Sequence, residues 1–467
     1  MQQEEDQKNT QGDESSFWEP APQQIQQAPS GAPAPGKRSV AKRICAVVLA
    51  VLLMGIGAIV GWLVTYYSTD PRIRELQWML GVLESEHYQD VDIDEVYGDI
   101  YDAVMPDIFS SYYTPDEYEL IIEQSQGVNR GIGVTLARES DGSTLLYTVV
   151  ENSPAQLAGL RKGMYLLGYS AVGEEMQTGT TDDILAFISA QEGEFCLYAG
   201  YEKDASQASA YTMQREVYHA GYCVYRDSET SYALRDDPDG GENAIFAETY
   251  EPLEGLDDST AYIRLDSFDG QCAQEYAYAM QVMQEQGRTN LILDLRGNGG
   301  GYLSDLQMIA SYFTKDTDET TPVVAYAQYR DGMRINYTAQ GNYYDAYFTE
   351  DSQITVLADE GSASASECLI GAMIDYGAID YSDIYLRKDS GASDCATYGK
   401  GVMQSMFTSP QGGVFQLTVA RIYWPVSGKC IHGTGVRESD GANGVVAPYL
   451  PGESDVMLES VLASVCS

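Results

Sequence analysis

The chain has 467 residues, of which 70 are acidic and 27 basic, for a formal net charge of −43. So negative a surface excludes nucleic acid as a natural partner and disfavours tight contact with anionic lipid headgroups. The three histidines, His87, His219 and His432, have no partner at metal or triad spacing, and neither C-x-x-C nor H-E-x-x-H occurs, so no metal or other cofactor is expected.

In chain order, residues 1–43 are rich in Gln, Pro, Ala and Ser, cannot bury a core, and are expected to form a disordered cytoplasmic tail. Ile44 to Tyr67 follow as 24 residues without a charge, more than the about 20 a helix needs to cross a hydrocarbon core. Lys37, Arg38, Lys42 and Arg43 stand just before that span, which by the positive-inside rule keeps the amino terminus in the cytoplasm and exports the rest. A cleaved secretory signal is the competing reading; its charged region is short, whereas 43 residues precede this apolar run. The expectation is a single-pass anchor in the cell membrane, residues 44–67, with the catalytic part extracytoplasmic. Asp90, Asp92 and Asp94 alternate as in a calcium loop, but Glu95 stands where the sharp turn needs glycine and Tyr101 where a bidentate glutamate is needed.

Gly131-Ile132-Gly133-Val134 opens a run of alternating strands, and Val149 to Gly163 reads as a strand, a turn and a short helix. Residues 127–216 resemble a PDZ domain, with a plain small β domain as the alternative. The physics of such a module is strand addition: a chain end pairs with an open sheet edge while backbone N–H groups hold its carboxylate. Gly131, Ile132 and Gly133 are the expected holders of that terminus. Ser228 to Asp258 are rich in Asp, Glu, Gly and Pro, so 217–260 is expected to be an acidic linker or insertion.

The chemistry-bearing motifs lie beyond it. Leu291 to Leu295 form an apolar strand that runs into Arg296-Gly297-Asn298-Gly299-Gly300-Gly301. A phosphate cradle would need a following Gly-Lys-Ser/Thr, and Tyr302 stands where G-x-G-x-x-G needs its last glycine. Ile354, Val356 and Leu357 read as a buried strand broken by Glu360-Gly361, and a helix follows whose apolar positions are Ala365, Cys368, Leu369, Ala372 and Met373. The serines of Gly361-Ser362-Ala363-Ser364-Ala365-Ser366-Glu367 gather at its amino end, where unpaired N–H groups would stabilise a developing oxyanion. Ser364-Ala365-Ser366-Glu367 also fits a capping box, in which the serine only satisfies orphan N–H groups. Tyr398-Gly399-Lys400-Gly401-Val402-Met403-Gln404 supplies a candidate base, provided burial brings the lysine from about 10.4 toward about 7–8 so that it is neutral.

These segments resemble the carboxyl-terminal processing peptidases, a family with a Ser/Lys dyad and the signatures G-S-A-S-A-S-E and F-G-K-G-x-x-Q. The resemblance implies Ser364 as nucleophile, Lys400 as general base and Gln404 as the residue that orients the lysine, with Tyr398 in place of the usual Phe. From the family's D-L-R-x-N-x-G-G it implies oxyanion N–H groups at Gly300 and Ala365. Lys400 lies 36 residues after Ser364, a longer separation than the family's, with Tyr381 to Ala392 resembling an insertion; Lys388, 24 residues after Ser364, is closer but lacks the flanking motif. Ala261 to Phe268 and Tyr423 to Gly433 match further core segments, and Asp107 to Tyr118 match the family's helical N-terminal pattern.

The expected architecture is therefore multidomain: one N-terminal transmembrane helix, a helical segment 71–126, the PDZ-like β-rich domain, an α/β crotonase-like peptidase core over 261–450 and a C-terminal tail over 451–467. The function implied is a membrane-anchored serine endopeptidase that cleaves exported proteins near their C-terminal ends, the PDZ-like unit capturing an apolar terminus and Ser364 forming an acyl-enzyme. Polypeptide C-termini are the expected partners, and a homo-oligomer is left open. A catalytically silent PDZ adaptor at the cell surface is the rival from another class, and an esterase using the same serine is the weaker one. Outside the apolar span seven cysteines remain, an odd number that compels no disulfide framework; Cys395 and Cys430 are the pair considered for one bridge.

Overall fold

The computed structural model describes residues 38–87, 89–139, 141–236, 245–249, 251–315, 317, 321–448 and 455–466, which fall into two compact units divided between Val96 and Tyr97. The expected disordered tail lies outside the described residues up to position 37, as do 237–244 and 250 of the expected linker and 451–454 and 467 of the expected C-terminal tail.

The first unit holds α1 (Arg38–Ser68), α2 (Pro71–Glu86) and the start of α3 (Ile93–Ala103). Within α1, the apolar stretch Lys42–Thr65, 24 residues, has a mean hydropathy of 2.8 and none of it is buried inside the protein. At 1.5 Å per residue such a stretch reaches about 36 Å, enough to cross a bilayer core of about 30 Å. Helix α2 starts where Pro71 fills the first position, and Asp70 accepts from the Arg72 N–H at 2.8 Å. Asp92 accepts from the N–H groups of Asp94 and Glu95 at 3.0 and 3.4 Å, so the alternating carboxylates mark a helix start.

The second unit begins with β1 (Ser111–Tyr113), α4 (Pro115–Ser125) and β2 (Val128–Gly131). Thr114 and Glu117 close a capping box on α4, with the Thr114 N–H donating to Glu117 at 2.8 Å. Then β3 (Val134–Arg138), β4 (Thr144–Val149), α5 (Pro154–Ala158), β5 (Tyr165–Ala171), α6 (Thr181–Ala190), β6 (Phe195–Gly200) and β7 (Ser209–Met213) form a meander in the order β3-β4-β5-β6-β7. Its own core gathers Ile132, Leu146, Leu160, Leu166, Ile184 and Phe195. Strand β8 (Glu216–His219) returns antiparallel to β2.

The remaining strands and helices are β9 (Cys223–Arg226), β10 (Ser231–Asp236), β11 (Ile245–Thr249), β12 (Thr260–Leu265), α7 (Cys272–Glu285), β13 (Asn290–Asp294), α8 (Leu303–Ala310), β14 (Val323–Tyr329), β15 (Arg334–Thr338), α9 (Tyr344–Tyr347), β16 (Ile354–Ala358), α10 (Ala365–Asp375), β17 (Ile384–Lys388), β18 (Val402–Thr408), β19 (Val414–Tyr423), β20 (Asn443–Val446) and α11 (Val456–Val465). Eight of the strands make one sheet, β11-β10-β9-β12-β13-β16-β17-β20, parallel from β12 to β20. Strands β13 and β16 read as near-continuous apolar runs because both sheet faces are covered: α7, α8 and α10 bury one face, and α11 lays Met457, Leu458, Val461 and Leu462 on Tyr262, Ile292 and Leu357. A second sheet, β1-β19-β14-β15 with β18 paired to β19, lies beside it in sequence and carries the lysine motif at its start.

Three stretches differ from expectation. The 217–260 region is not only a linker: β9 pairs with β12 and β10 with β9, extending the core sheet. Cys223, Tyr225 and Leu234 are fully buried there, while the buried Asp227 turns the chain by accepting from the N–H groups of Glu229 and Thr230 at 2.7 and 2.6 Å; its carboxylates belong to turns between strands. The stretch resembling an insertion contains β17, a core strand between β16 and β20. The segment expected as a tail holds α11, anchored by Asp455, which takes two hydrogen bonds from Arg296 at 2.8 and 2.7 Å. Cys395 and Cys430 are free thiols, the first facing Leu386 O and Glu438, the second facing Gly401 O.

Candidate active site

The site is assembled where β13 and β16 end side by side. Each strand runs into a loop, and the two loops are tied together before α10 begins. Asp359 accepts from the N–H groups of Gly297 and Gly361 at 2.8 and 2.9 Å. Ser362 donates its hydroxyl to Leu295 O at 2.8 Å, and Ser366 donates to Asn298 O at 2.9 Å, while the Ala363 N–H reaches the same Asn298 carbonyl at 2.9 Å. Both flanking serines are fully buried, so of the three, Ser364 is the one left partly open.

The backbone of Ser364 departs from that of an ordinary N-cap, although Glu367 accepts from its N–H as in a capping box. An N-cap residue has extended dihedrals, but Ser364 has φ 55° and ψ −111°, a conformation that costs of order 1–3 kcal/mol in a non-glycine residue. Among the described residues only Asn152 shares a positive φ without being glycine. Gly300 makes the strained turn sterically feasible, since a Cβ there would lie 2.7 Å from Ser364 Cβ and 2.9 Å from both Ala363 O and Ala365 N. The Ala365 N–H, at the first position of α10, has no intrahelical acceptor.

Glu367 joins this loop to the lysine loop. Its side chain is fully buried, and its Oε2 accepts from the Ser364 N–H at 3.0 Å and from the Lys400 N–H at 2.9 Å. Its Oε1 accepts from Thr397 Oγ1 at 2.5 Å and from the Gly399 N–H at 2.8 Å. Burial pushes the Glu367 carboxyl up, and these four donors oppose it. One carboxylate therefore holds the segments carrying Ser364 and Lys400 at neighbouring positions. The Tyr398 N–H adds a bond to Ser362 O at 3.0 Å.

Lys400 itself is half-buried, and desolvation holds its ammonium below the ordinary lysine value. Its Nζ stands 5.2 Å from the centre of the Phe109 ring, with Phe109 edge-on to Tyr398 and His432. Among the described residues it has no ion pair. Lys388, at the end of β17, is in the opposite state: Glu438 lies 2.6 Å away and holds it above its ordinary value.

Two expected roles are not seen in this geometry. Gln404 donates its Nε2 to Thr418 Oγ1 at 3.1 Å, not to Lys400, and the β18–β19 register shifts between Met403 and Gln404. The Gly300 N–H is engaged with Asn298 Oδ1 at 2.9 Å, which makes Gly300 a packing residue beneath Ser364 in this conformation and leaves Ala365 as the presented donor. Gly131, Ile132 and Gly133 lie elsewhere, at the start of the meander. Ile132 is buried and its carbonyl accepts from Ala155 at 3.0 Å; Gly133 has φ 76° and is packed against Ser153 and Tyr218, where a side chain would not fit. Beside them β3 is an edge strand with α6 next to it, and Arg138 pairs with Asp182 across that gap at 2.7 Å. The sequence reading missed Phe109, Thr397 and the second half of Glu367's role; the glutamate was visible only as a capping residue.

Residues 259–381 match Peptidase family S41, a stretch that includes Ser364 and ends before Lys400. Over 324 residues the chain is 25% identical to the carboxyl-terminal-processing protease of Synechocystis sp., covering 69% of this chain and 65% of that one. The carboxy-terminal processing protease CtpB of Bacillus subtilis is 23% identical over 371 residues, 79% of this chain and 67% of its own length. The chain thus spans about two thirds of the curated relatives it matches. A solved photosystem II D1 C-terminal processing protease is 20% identical with a TM-score of 0.46, covering 83% of this chain and 90% of that one. A PDZ domain of a carboxy-terminal protease from Vibrio cholerae is 24% identical with a TM-score of 0.17, covering 19% of this chain and 96% of the domain. Residues 259–381 thus match Peptidase family S41 and the chain is similar to the carboxyl-terminal processing proteases, a likeness that supports a serine-type peptidase as its enzyme class.

Proposed function

We propose that the protein is a membrane-anchored serine endopeptidase that cleaves exported polypeptides near their C-terminal ends. The observation that carries the reading is the juncture at Glu367: a strained, partly open Ser364 and a desolvated, counter-ion-free Lys400 are bound through their backbone N–H groups to one carboxylate oxygen. Neutral Lys400 takes the Ser364 hydroxyl proton, Ser364 Oγ attacks the scissile carbonyl, and the Ala365 N–H at the positive end of α10 stabilises the oxyanion. Gly300 supplies the second donor on substrate binding if its N–H turns from Asn298. The protonated lysine then returns its proton to the leaving amine, and water hydrolyses the acyl-enzyme. Gln404 acts at one remove, bracing β18 against Thr418.

The meander is the PDZ-like unit of this reading. The open edge of β3 beside α6 would accept a chain end as an added strand, with the N–H groups around Gly131, Ile132 and Gly133 facing its carboxylate. Helix α1 is the membrane anchor, amino terminus inward, and the parallel sheet with α7, α8 and α10 is the crotonase-like core. The test is cleavage of an unfolded protein ending in apolar residues by the full chain in detergent, wild type against Ser364→Ala, followed by mass spectrometry. Cleavage by wild type alone supports the nucleophile; equal cleavage sinks it, and binding without cleavage by either favours the adaptor reading.

A further inference from the structure

We propose that the cavity beside Lys400 is a carboxylate subsite, in which Arg330 and Arg421 hold an acidic group of the bound polypeptide; this deepens the peptidase reading and rests on it. The cavity has a volume of ≈ 510 Å³, and its lining includes Phe109, Val402, His432, Arg330, Arg421 and Asp107. It adjoins the lysine loop through Phe109 and Val402. Phe109 is the ring over Lys400, Val402 follows two residues after it, and the Ile422 N–H donates to Gly401 O at 3.0 Å, fixing β19 to the lysine loop.

The guanidinium of Arg421 is displayed by a well-held strand. Arg421 pairs in register with Val402 of β18 on one side and with Gln328 of β14 on the other. Its neighbours Ala420 and Ile422 turn into the core, so the arginine stands on the open face. Arg330 leaves β14 one residue after Tyr329, which pairs with Ala420, and so reaches the same cavity from the adjacent strand.

Charge indicates what the cavity takes. Arg264, Arg296, Arg387 and Arg437 are each held by carboxylates. Arg330 and Arg421 have no ion pair among the described residues, in a chain of net charge −43. The lining also holds one carboxylate, Asp107, whose Oδ1 accepts from the Phe109 N–H at 2.9 Å, Ser110 Oγ at 3.2 Å and Thr418 Oγ1 at 3.1 Å, and which forms no ion pair with either arginine among the described residues. Two guanidiniums against one carboxylate leave an excess of positive charge that disfavours a basic side chain, and they match the planar geometry of a carboxylate. That group is either an Asp or Glu side chain near the scissile bond or a chain-terminal carboxylate, and the two sources are separable.

The experiment uses the full chain in detergent with peptides that differ only in Glu or Gln at one position at a time on either side of the cleavage site, and a Gln series with free or amidated C-termini. The expected result is one position at which kcat/KM favours Glu over Gln by about tenfold, a preference that falls to near unity in Arg330→Gln/Arg421→Gln and returns in part in Arg330→Lys/Arg421→Lys. A preference confined to the free terminus, and equally arginine-dependent, assigns the site to the terminal carboxylate. Cleavage indifferent to charge, or a Glu preference that survives in the double Gln variant, overturns the subsite and leaves the peptidase standing. Fluorescence anisotropy with the same peptides covers the remaining outcomes: arginine-dependent binding without cleavage keeps the subsite and overturns the peptidase, and neither binding nor cleavage overturns both.

Discussion

Lys388 and Lys400 stand twelve residues apart on either side of one loop, and their surroundings differ in the way the proposed mechanism requires of a bystander and a base. Lys388 closes a core strand and meets Glu438 at 2.6 Å, a contact that favours its charged form. Lys400 meets the face of Phe109 and the small backbone of its flanking glycines, and burial, with no ion pair among the described residues, favours its neutral form. Distance from Ser364 along the chain is a poor guide to this choice. The nearer lysine is paired with Glu438, and the farther one belongs to a loop whose backbone is hydrogen-bonded to Glu367.

The largest effect expected from breaking that difference is Lys400→Met, which should lower the acylation rate by about 10²–10⁴-fold, whereas Lys388→Met should leave it within a factor of about two. Burst-phase kinetics with an ester or peptide substrate reads both, and comparable losses would reverse the assignment. Glu367→Ala comes next. It strands four donors in a buried space, so it should cost roughly 3–5 kcal/mol in denaturant unfolding and slow acylation even in the folded fraction; Glu367→Gln, which keeps one acceptor oxygen, should be milder on both counts.

A smaller and more pointed test turns Lys400 into a copy of Lys388. Phe109→Asp places a carboxylate beside the ammonium, which should move the pH–rate profile of acylation upward by about one unit. In the wild type that rate should rise with pH as Lys400 loses its proton, with a midpoint below the ordinary 10.5. Stability carries the same sign. Between the depressed folded value and 10.5 the unfolded chain binds more protons at this lysine, so folding is favoured as pH rises through that window and the contribution is absent below it. The smallest effect belongs to Lys388→Met, whose partly buried pair with Glu438 contributes modestly, so the thermal midpoint should shift by about 2–4 °C.

What could be read from the chain beforehand follows the reach of each interaction. The strand-loop-helix units at Leu291–Phe313 and Ile354–Met373 were legible because their apolar periodicity and glycine breaks are local. Helix α1 was legible for the same reason. Glu367 was legible only in its short-range half, the N–H of Ser364, since its contacts with Thr397, Gly399 and Lys400 span 30 to 33 residues. Phe109 over Lys400 is a contact between segments 291 residues apart and leaves no mark in either motif. Strands β9 to β11 were obscured because their buried apolar residues are few and the turn carboxylates between them are many. Motif reasoning also set Gln404 against Lys400, whereas its side chain donates to Thr418 of the neighbouring strand, a pairing the motif alone does not carry.

The dependence of the site on one buried carboxylate has a bearing on when the molecule becomes dangerous. Neither the turn at Ser364 nor the burial of Lys400 exists in a chain whose lysine loop has not yet docked, and loop closure over some thirty residues is a late, entropically opposed event in folding. Under the proposed mechanism a nascent or partly unfolded copy would therefore be inert, its nucleophile and base being apart until the core is complete. Refolding followed in parallel by intrinsic fluorescence and by acyl-enzyme formation should show the second signal lagging the first; simultaneous recovery would mean that the dyad forms earlier than its long-range clamp implies. Latency of this kind needs no propeptide and no inhibitor.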